Sequence, residues 1–236
     1  MEQIYTIPVN EAFEASAADA SCGCPLCTIY RKLEENELDL ILGASMMEPD
    51  IRIKTNDQGF CRDHYKKMLG MKNRLGLALM QESHLAEVKK RLSPSLISSI
   101  TGKKAEQFVK EIAKMEESCY ICGKMGYHMT RSAANVAVLY TADEAFRRKF
   151  TAAPCLCLPH ARLLLEAAKK QLSGKELAAF NSAAMDAVMR YLDTLSEDVS
   201  FFCKKFDYRY ADEPWGNAKD APIRAAAFLT GDPKTE

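Results

Sequence analysis

The chain has 236 residues, 47% of them apolar, which is enough to bury a core and excludes an intrinsically disordered chain. Its 32 basic and 32 acidic residues balance, so no overall field directs the protein to nucleic acid or to an anionic membrane. No segment approaches the roughly 20 consecutive apolar residues of a membrane helix, and the first residues lack the basic and apolar parts of a signal peptide. We therefore expect a cytoplasmic protein.

Helical periodicity runs through most of the chain, because apolar residues recur every three or four positions. In residues 50–55 the polarity alternates as in a short strand, but Pro49 can also open a helix and a lone strand would have no partner. A last long helix follows Ser173, with Glu176 completing a capping box. The sequence predicts an all-α fold. The other predicted helices cover 10–19, 28–43, a short segment from about 62, 71–92, 104–117, 126–139 and 161–171.

The nine cysteines favour metal binding or thiol chemistry over disulfides, because the reducing cytosol does not maintain disulfides. Two Cys-x-x-Cys units are each followed by Cys-x-x-His after 33 and 34 intervening residues, and matching positions lie 95 or 96 residues apart. This pattern predicts an internal duplication. The expected bundle has a first helical repeat at 1–100, a second at 101–206, each with a metal-clamped hairpin and a long helix, and an aromatic tail at 207–236.

Each repeat is expected to close its own metal site. Cys-x-x-Cys brings two thiolates onto one ion, and Cys-x-x-His at the start of a helix places residues i and i+3 on one face. A Cys₃His set with four protein ligands is a common structural zinc site, so we expect two zinc ions per chain, with iron as the alternative. The predicted ligands are Cys24, Cys27, Cys61 and His64 in the first site, and Cys119, Cys122, Cys157 and His160 in the second.

Other chemistries fit the motifs less well. Reduced redox thiols remain an alternative, since Cys-x-x-Cys also occurs in thioredoxin-like proteins. A [2Fe–2S] cluster usually takes its ligands from a more compact loop. Covalent haem attachment requires histidine where Thr28 and Gly123 stand.

The remaining thiols and imidazoles are not expected to be ligands. Cys22 and Cys155 lie two residues before ligand positions and can replace Cys24 or Cys157, although a spare thiol is the preferred interpretation. The others are interpreted as follows: Cys203 as a half-buried packing residue, and His84 and His128 as ordinary surface or core residues.

The tail is rich in aromatic residues, and burying such rings is favourable by roughly 1.5–3 kcal/mol each. We therefore expect it to fold back and hold the two repeats together, with 221–229 as a final short helix. An alternative makes it the lid of a pocket in which Arg52, Lys54 and Arg209 contact an anion. The aromatic residues in question are Phe206, Tyr208, Tyr210 and Trp215.

The segments "CPLC", "DIRIKTNDQGFCRDHY", "NRLGLALM" and "CYIC", with the tail "KKFDYRYADEPWGNAKDAPIRA", resemble a bacterial family of uncharacterised all-helical proteins. Members are sometimes labelled ABC-transporter substrate-binding proteins. The chain has neither a lipoprotein cleavage box before Cys22 nor the α/β alternation of a two-lobed binding protein. The resemblance implies the fold and brings no activity with it.

Three functional hypotheses follow. The first is a non-enzymatic protein-interaction or scaffold module whose partner is a protein, since four protein ligands leave no open metal position. The second is a thiol- or metal-based redox sensor using the same thiolates. The third is an enzyme or small-molecule binder with a site between the repeats under the tail, although no catalytic triad, phosphate loop, dinucleotide fingerprint or His-Glu-x-x-His motif is present.

Overall fold

A computed structural model of the protein describes residues 3–93 and 104–231, and within these ranges the secondary structure is helical with no β-strand. The all-α prediction is confirmed. The α-helices are α1 (Gln3–Ala18), α2 (Pro25–Leu42), α3 (Pro49–Gln58), α4 (Arg62–Gly70), α5 (Arg74–Arg91), α6 (Lys104–Glu116), α7 (Tyr120–Ala142), α8 (Glu144–Ala152), α9 (Leu158–Gln171), α10 (Gly174–Lys204) and α11 (Ala221–Thr230).

Three local details refine the predicted elements. Residues 50–55 lie inside α3, which Pro49 opens, as the helical alternative requires. Helix α8 was not predicted, although Asp143 caps it by accepting hydrogen bonds from the backbone N–H groups of Ala145 and Phe146. Ser173 precedes α10 as expected, but its side chain makes no capping hydrogen bond, so the predicted capping box does not form.

The chain divides into two compact units. One comprises Met1–Arg31 with His128–Glu236, and we call it the terminal unit; the other, Lys32–Tyr127, is the central unit. These units differ from the predicted division after residues 100 and 206. Both boundaries fall inside helices, in α2 and in α7.

An aromatic cluster forms the core of the terminal unit. Neighbouring rings lie 5.1 to 5.6 Å apart between centroids, mostly in edge-to-face or tilted arrangements, a spacing that adds to the free energy gained by burial. The cluster joins α1, α7, α8 and α10. Its members are Phe13, Tyr140, Phe146, Phe150 and Phe180.

The end of the terminal unit folds back as a helix, as predicted for 221–229. Helix α11 packs against α9 and α10, and both of these helices lie in the predicted second repeat. Phe228 is buried beside the Tyr191 ring at 5.5 Å. Arg224 donates to Asp198 at 2.8 Å and to Asp220 at 2.9 Å, so both apolar and ionic contacts hold α11 in place.

The predicted burial of the tail aromatics is wrong for three of them, since Phe206 is 77%, Tyr208 87% and Trp215 37% exposed, and only Tyr210 is half-buried. The loop after α10 is built around Lys205, whose Nζ donates to the carbonyl oxygens of Tyr210, Ala211 and Glu213 at 2.6 to 2.8 Å. Because these carbonyls turn inward to the ammonium group, the hydrogen bonds of the loop backbone are made without burying the rings of Phe206 and Tyr208.

Two of the three basic residues of the proposed anion lid, Arg52 and Arg209, have other partners. Arg209 pairs with Asp207 at 2.6 Å in the terminal unit. Arg52 donates to the Leu79 carbonyl at 2.7 Å and to Ser83 Oγ at 2.6 Å in the central unit. The hydrogen bonds of Arg52 join α3 to α5.

Candidate metal centres

All eight predicted ligands lie at the N-termini of four helices. In each motif the first residue immediately precedes a helix and the second is its third residue. The carbonyl of the first residue accepts the first hydrogen bond of the helix, for example from Tyr65 N–H to Cys61 and from Ala161 N–H to Cys157. The i and i+3 side chains therefore share one face. The pairs and their helices are Cys24 and Cys27 at α2, Cys61 and His64 at α4, Cys119 and Cys122 at α7, and Cys157 and His160 at α9.

The terminal unit brings together Cys24, Cys27, Cys157 and His160, whose ligand atoms all lie within 4.8 Å of one another. His160 Nδ1 is 3.1 Å from Cys157 Sγ, 3.3 Å from Cys27 Sγ and 3.8 Å from Cys24 Sγ. The sulfur atoms of Cys27 and Cys157 are 3.6 Å apart. All three cysteines are buried. We call this set the terminal quartet.

The central unit brings together Cys61, His64, Cys119 and Cys122, again within 4.8 Å. His64 Nδ1 lies 3.1, 3.3 and 3.5 Å from the Sγ atoms of Cys61, Cys119 and Cys122. The sulfur atoms of Cys61 and Cys122 are 3.8 Å apart. In this central quartet the histidine is buried, whereas Cys122 is exposed and the other two cysteines are partly exposed.

The expected pairing of the motifs is therefore wrong, although all eight residues fall into quartets. Each quartet combines the Cys-x-x-Cys of one predicted repeat with the Cys-x-x-His of the other. The helix lengths explain this. Helix α2 ends at Leu42, 15 residues and about 23 Å beyond Cys27, but the following α3 has only ten residues, about 15 Å, and is too short to retrace that path. Likewise α7 has 23 residues and α8 only nine.

The distances between donor atoms match one tetrahedral ion per quartet. With metal–sulfur distances of about 2.3 Å and metal–nitrogen distances of about 2.0 Å, a tetrahedron has edges of roughly 3.8 Å between sulfurs and roughly 3.6 Å between sulfur and nitrogen. The sulfur pairs given above lie at 3.6 and 3.8 Å, and the sulfur–nitrogen pairs at 3.1 to 3.8 Å. These residues fit a zinc ion in donor type, number and spacing.

Within the central quartet, neighbouring side chains shift one another's pKa values. Burial lowers the pKa of His64, but its hydrogen bonds with Cys119 and Glu34 outweigh burial and raise the pKa to about 10. For Cys119, burial raises the pKa, whereas His64 and the backbone N–H groups of Cys122 and Cys61 lower it to about 6. Burial and the neighbouring Cys119 raise the pKa of Cys122. A metal ion must therefore displace protons from His64 and Cys122 at neutral pH.

The terminal quartet shows the same competition in a more buried setting. Burial lowers the pKa of His160, but hydrogen bonds to Cys24 and Cys27 raise it to about 9. For Cys157, the hydrogen bond with Cys24 lowers the pKa, but the one with Cys27 and burial raise it to about 12. Here also, metal binding at neutral pH must release at least the protons of His160 and Cys157.

Helix N-termini compensate the charge that a metal-loaded quartet would carry. Three thiolates and one Zn²⁺ sum to 2 − 3 = −1, and the unpaired N–H groups and dipole of a helix N-terminus stabilise negative charge. Two such termini meet at each quartet. In the central quartet the backbone N–H of Cys122 also donates to Cys119 Sγ at 3.5 Å.

Several residues outside the ligand motifs support the quartets. Ser16 Oγ donates to the Gly23 carbonyl at 2.6 Å beside Cys24. In the central unit, Tyr120 N–H donates to the Gly59 carbonyl at 3.0 Å, which holds the start of α7 beside the segment that precedes α4. Gly59 has a φ of +61°, and a Cβ there would lie 2.8 Å from His84 Nε2. A glycine before the Cys-x-x-His was the only visible signal.

The other thiols and histidines take separate roles. Cys155 is buried in the terminal unit and lies outside the quartet. The side chain of Cys22 lies outside the described part of the structure. Cys203 is exposed, so its predicted half-buried packing role is wrong. As expected, the two remaining histidines are not in the quartets: His84 Nδ1 bonds the Asn56 carbonyl at 2.9 Å, and His128 Nδ1 bonds the Tyr5 hydroxyl at 2.9 Å.

Comparisons with known proteins place the chain in a family without giving it an activity. No helix in 3–93 or 104–231 combines the length and the apolar character that crossing a bilayer requires. Searches of curated proteins and of solved structures find no match. A model of the family of unknown function DUF6062 matches residues 1–236. The chain therefore belongs to this family.

Proposed function

We propose that this protein binds two zinc ions, one in each quartet, and that these ions hold a helical scaffold that binds a protein partner in the cytoplasm. One observation carries the metal proposal. Eight cysteine and histidine side chains from four helix N-termini meet in two groups whose spacing suits tetrahedral zinc. Iron is the alternative ion, since the same donors can hold it.

A structural role follows from the number of ligands. Each quartet supplies four protein donors, which leaves no open position for a substrate, whereas catalytic zinc sites keep one position for water. The terminal quartet also joins residues far apart in the chain, with 130 positions between Cys27 and Cys157. Zinc binding at such a site contributes directly to the free energy of folding.

Exposed apolar side chains support a protein partner. Phe206 and Tyr208 project from the loop that Lys205 organises. Phe108 and Val109 are exposed on α6. Exposed aromatic residues on an ordered backbone are common anchors of protein interfaces, because they bury much surface at a small cost in conformational entropy.

Elemental analysis of the purified chain tests the metal proposal. Two equivalents of zinc are expected, and a chain that neither retains nor takes up metal would refute it. For the partner, the double variant Phe206→Ser with Tyr208→Ser should keep both zinc ions and lose a partner that the wild type captures. Leu75→Ser, which changes an exposed leucine in the central unit, is the matched control. A metabolite turned over by the purified protein would argue instead for the enzyme hypothesis.

The exposure of Cys122 favours a second candidate function, a redox sensor. Peroxide can oxidise two zinc-bound thiolates of the central quartet to a disulfide, with the peroxide reduced to water and the zinc ion released. Mild peroxide should then release one of two zinc ions, and a reductant with zinc should restore it. Full retention of both ions at peroxide concentrations that oxidise free cysteine would exclude this role.

A further inference from the structure

Glu34 is a buried carboxylate in α2 that no sequence motif marks. Its Oε1 lies 3.2 Å from His64 Nε2, and its Oε2 accepts a hydrogen bond from Lys67 Nζ. The other ring nitrogen of His64, Nδ1, faces the three sulfur atoms of the central quartet. The two nitrogens of this histidine therefore face two different kinds of partner.

This arrangement is the one that a metal-bound histidine needs. A neutral imidazole carries one proton, and a metal on Nδ1 requires that proton to be on Nε2. A carboxylate that accepts the Nε2 proton fixes both the tautomer and the orientation of the ring, and it increases the basicity of the ligating nitrogen. We propose that Glu34 is a positioning residue that controls how tightly the central quartet holds its metal; this inference rests on the proposed function.

Lys67 makes the buried carboxylate tolerable. A carboxylate removed from water is costly unless it is paired, and Lys67 supplies the cation from one turn after His64 on the same helix, α4. Zn²⁺, three thiolates, Glu34 and Lys67 together carry 2 − 3 − 1 + 1 = −1, the same formal charge as the quartet alone. Glu34 can thus accept a hydrogen bond from the His64 imidazole without adding net charge to the site.

The terminal quartet provides an internal reference. Within the residues that the structure describes, the side-chain contacts of His160 are with the sulfur atoms of Cys24, Cys27 and Cys157, and no carboxylate is among them. Replacement of Glu34 should therefore weaken one of two metal ions in the same molecule and leave the other unchanged. A general loss of stability would not produce this selectivity.

The test measures zinc affinity by chelator competition, and the ligand-field absorption of bound Co²⁺, in the full chain. Glu34→Ala should lower the affinity for one of the two ions about ten- to a hundredfold, the range found for loss of such hydrogen-bond partners. Glu34→Gln should weaken it less, because its amide oxygen still accepts the Nε2 proton. Asp39→Asn, at an exposed acid on the same helix, is the control and should match the wild type.

A second background assigns the affected ion. In Cys122→Ser only the terminal quartet remains complete, and adding Glu34→Ala there should change neither the remaining affinity nor its Co²⁺ spectrum. The proposal is overturned if Glu34→Ala or, should that variant fail to fold, Glu34→Gln holds both ions with wild-type affinity. A wild-type chain that binds no metal would instead refute the proposed function, so the two failures are distinguishable.

Discussion

The two quartets have the same donors at the same helix positions, yet their surroundings differ. In the terminal quartet the three cysteines are buried, and Cys157 is only 2% exposed. In the central quartet the histidine is buried and hydrogen-bonded to Glu34, whereas Cys122 reaches solvent. Ligand identity sets which ion binds, but burial sets how easily water, chelators and oxidants reach it. We therefore expect the terminal quartet to release a bound ion slowly and the central quartet to release it quickly.

The largest expected difference is in stability. Cys157→Ser and Cys122→Ser should each reduce bound zinc from two equivalents to one. Loss of the buried ligand should cost roughly 3–5 kcal/mol because it leaves buried thiolates without their cation, and should lower the melting temperature by about 10 °C. Cys122→Ser should lower it by roughly half as much.

Calorimetry with zinc analysis of the same samples measures both effects. Cys203→Ser, at an exposed cysteine outside the quartets, should change neither quantity. Equal melting temperatures for the two ligand variants would show that burial does not distinguish the sites.

The pH dependence of zinc affinity is expected to differ between the quartets. At pH 7 each site must lose at least two protons on binding zinc, from His64 and Cys122 in one and from His160 and Cys157 in the other. Affinity should therefore fall at least about a hundredfold for each pH unit lowered from 7. Below about pH 6 the central quartet should lose affinity more steeply, because Cys119, with a pKa near 6, then becomes protonated as well.

Titration calorimetry in buffers with different ionisation enthalpies counts the released protons directly. A proton count near zero at pH 7 would contradict the raised pKa values described for both quartets. Parallel pH profiles down to pH 5 would contradict the additional proton on Cys119.

Rates of zinc release should differ between the sites. A chelator in excess should remove the two ions in separate phases, with the central ion leaving roughly ten times faster, because Cys122 is open to an incoming ligand. Stopped-flow absorbance of a coloured chelator resolves the phases. The fast phase should disappear in Cys122→Ser, and a single phase in the wild type would argue against an exchangeable central site.

The mildest of these substitutions is at Gly59, which is not itself a ligand. Gly59→Ala places a Cβ 2.8 Å from the His84 ring at a φ of +61°, which costs about 1–2 kcal/mol. Because Gly59 accepts the Tyr120 N–H beside the central quartet, central zinc affinity should fall about five- to thirtyfold while terminal affinity is unchanged.

Gly70→Ala is the matched control for this prediction. Gly70 lies in the same unit, and a Cβ there meets no atom within 4 Å. If Gly59→Ala binds both ions as tightly as Gly70→Ala does, the segment around Gly59 does not position the central ligands.

The sequence was sufficient to predict most of the helices and the eight residues of the quartets, because helical periodicity and motif spacing can be read from short stretches of sequence. It was not sufficient to pair the motifs, since four equivalent helix starts allow more than one combination. The decisive information was the length of α3 and α8, and α8 itself was missed. Glu34 could not have been found, because it meets His64 across 30 positions and belongs to no motif.

Each quartet takes its Cys-x-x-Cys and its Cys-x-x-His from different predicted repeats, and this pairing determines the order in which a nascent chain can complete the two sites. The central quartet has all its ligands once Cys122 has been synthesised, whereas Cys24 and Cys27 must wait for Cys157 and His160. During that interval of elongation two of the first thiols made have no final partners, so a ribosome-bound chain carries them open to wrong metals or disulfides. Early translation therefore completes the solvent-exposed site first and leaves the sealed one for last.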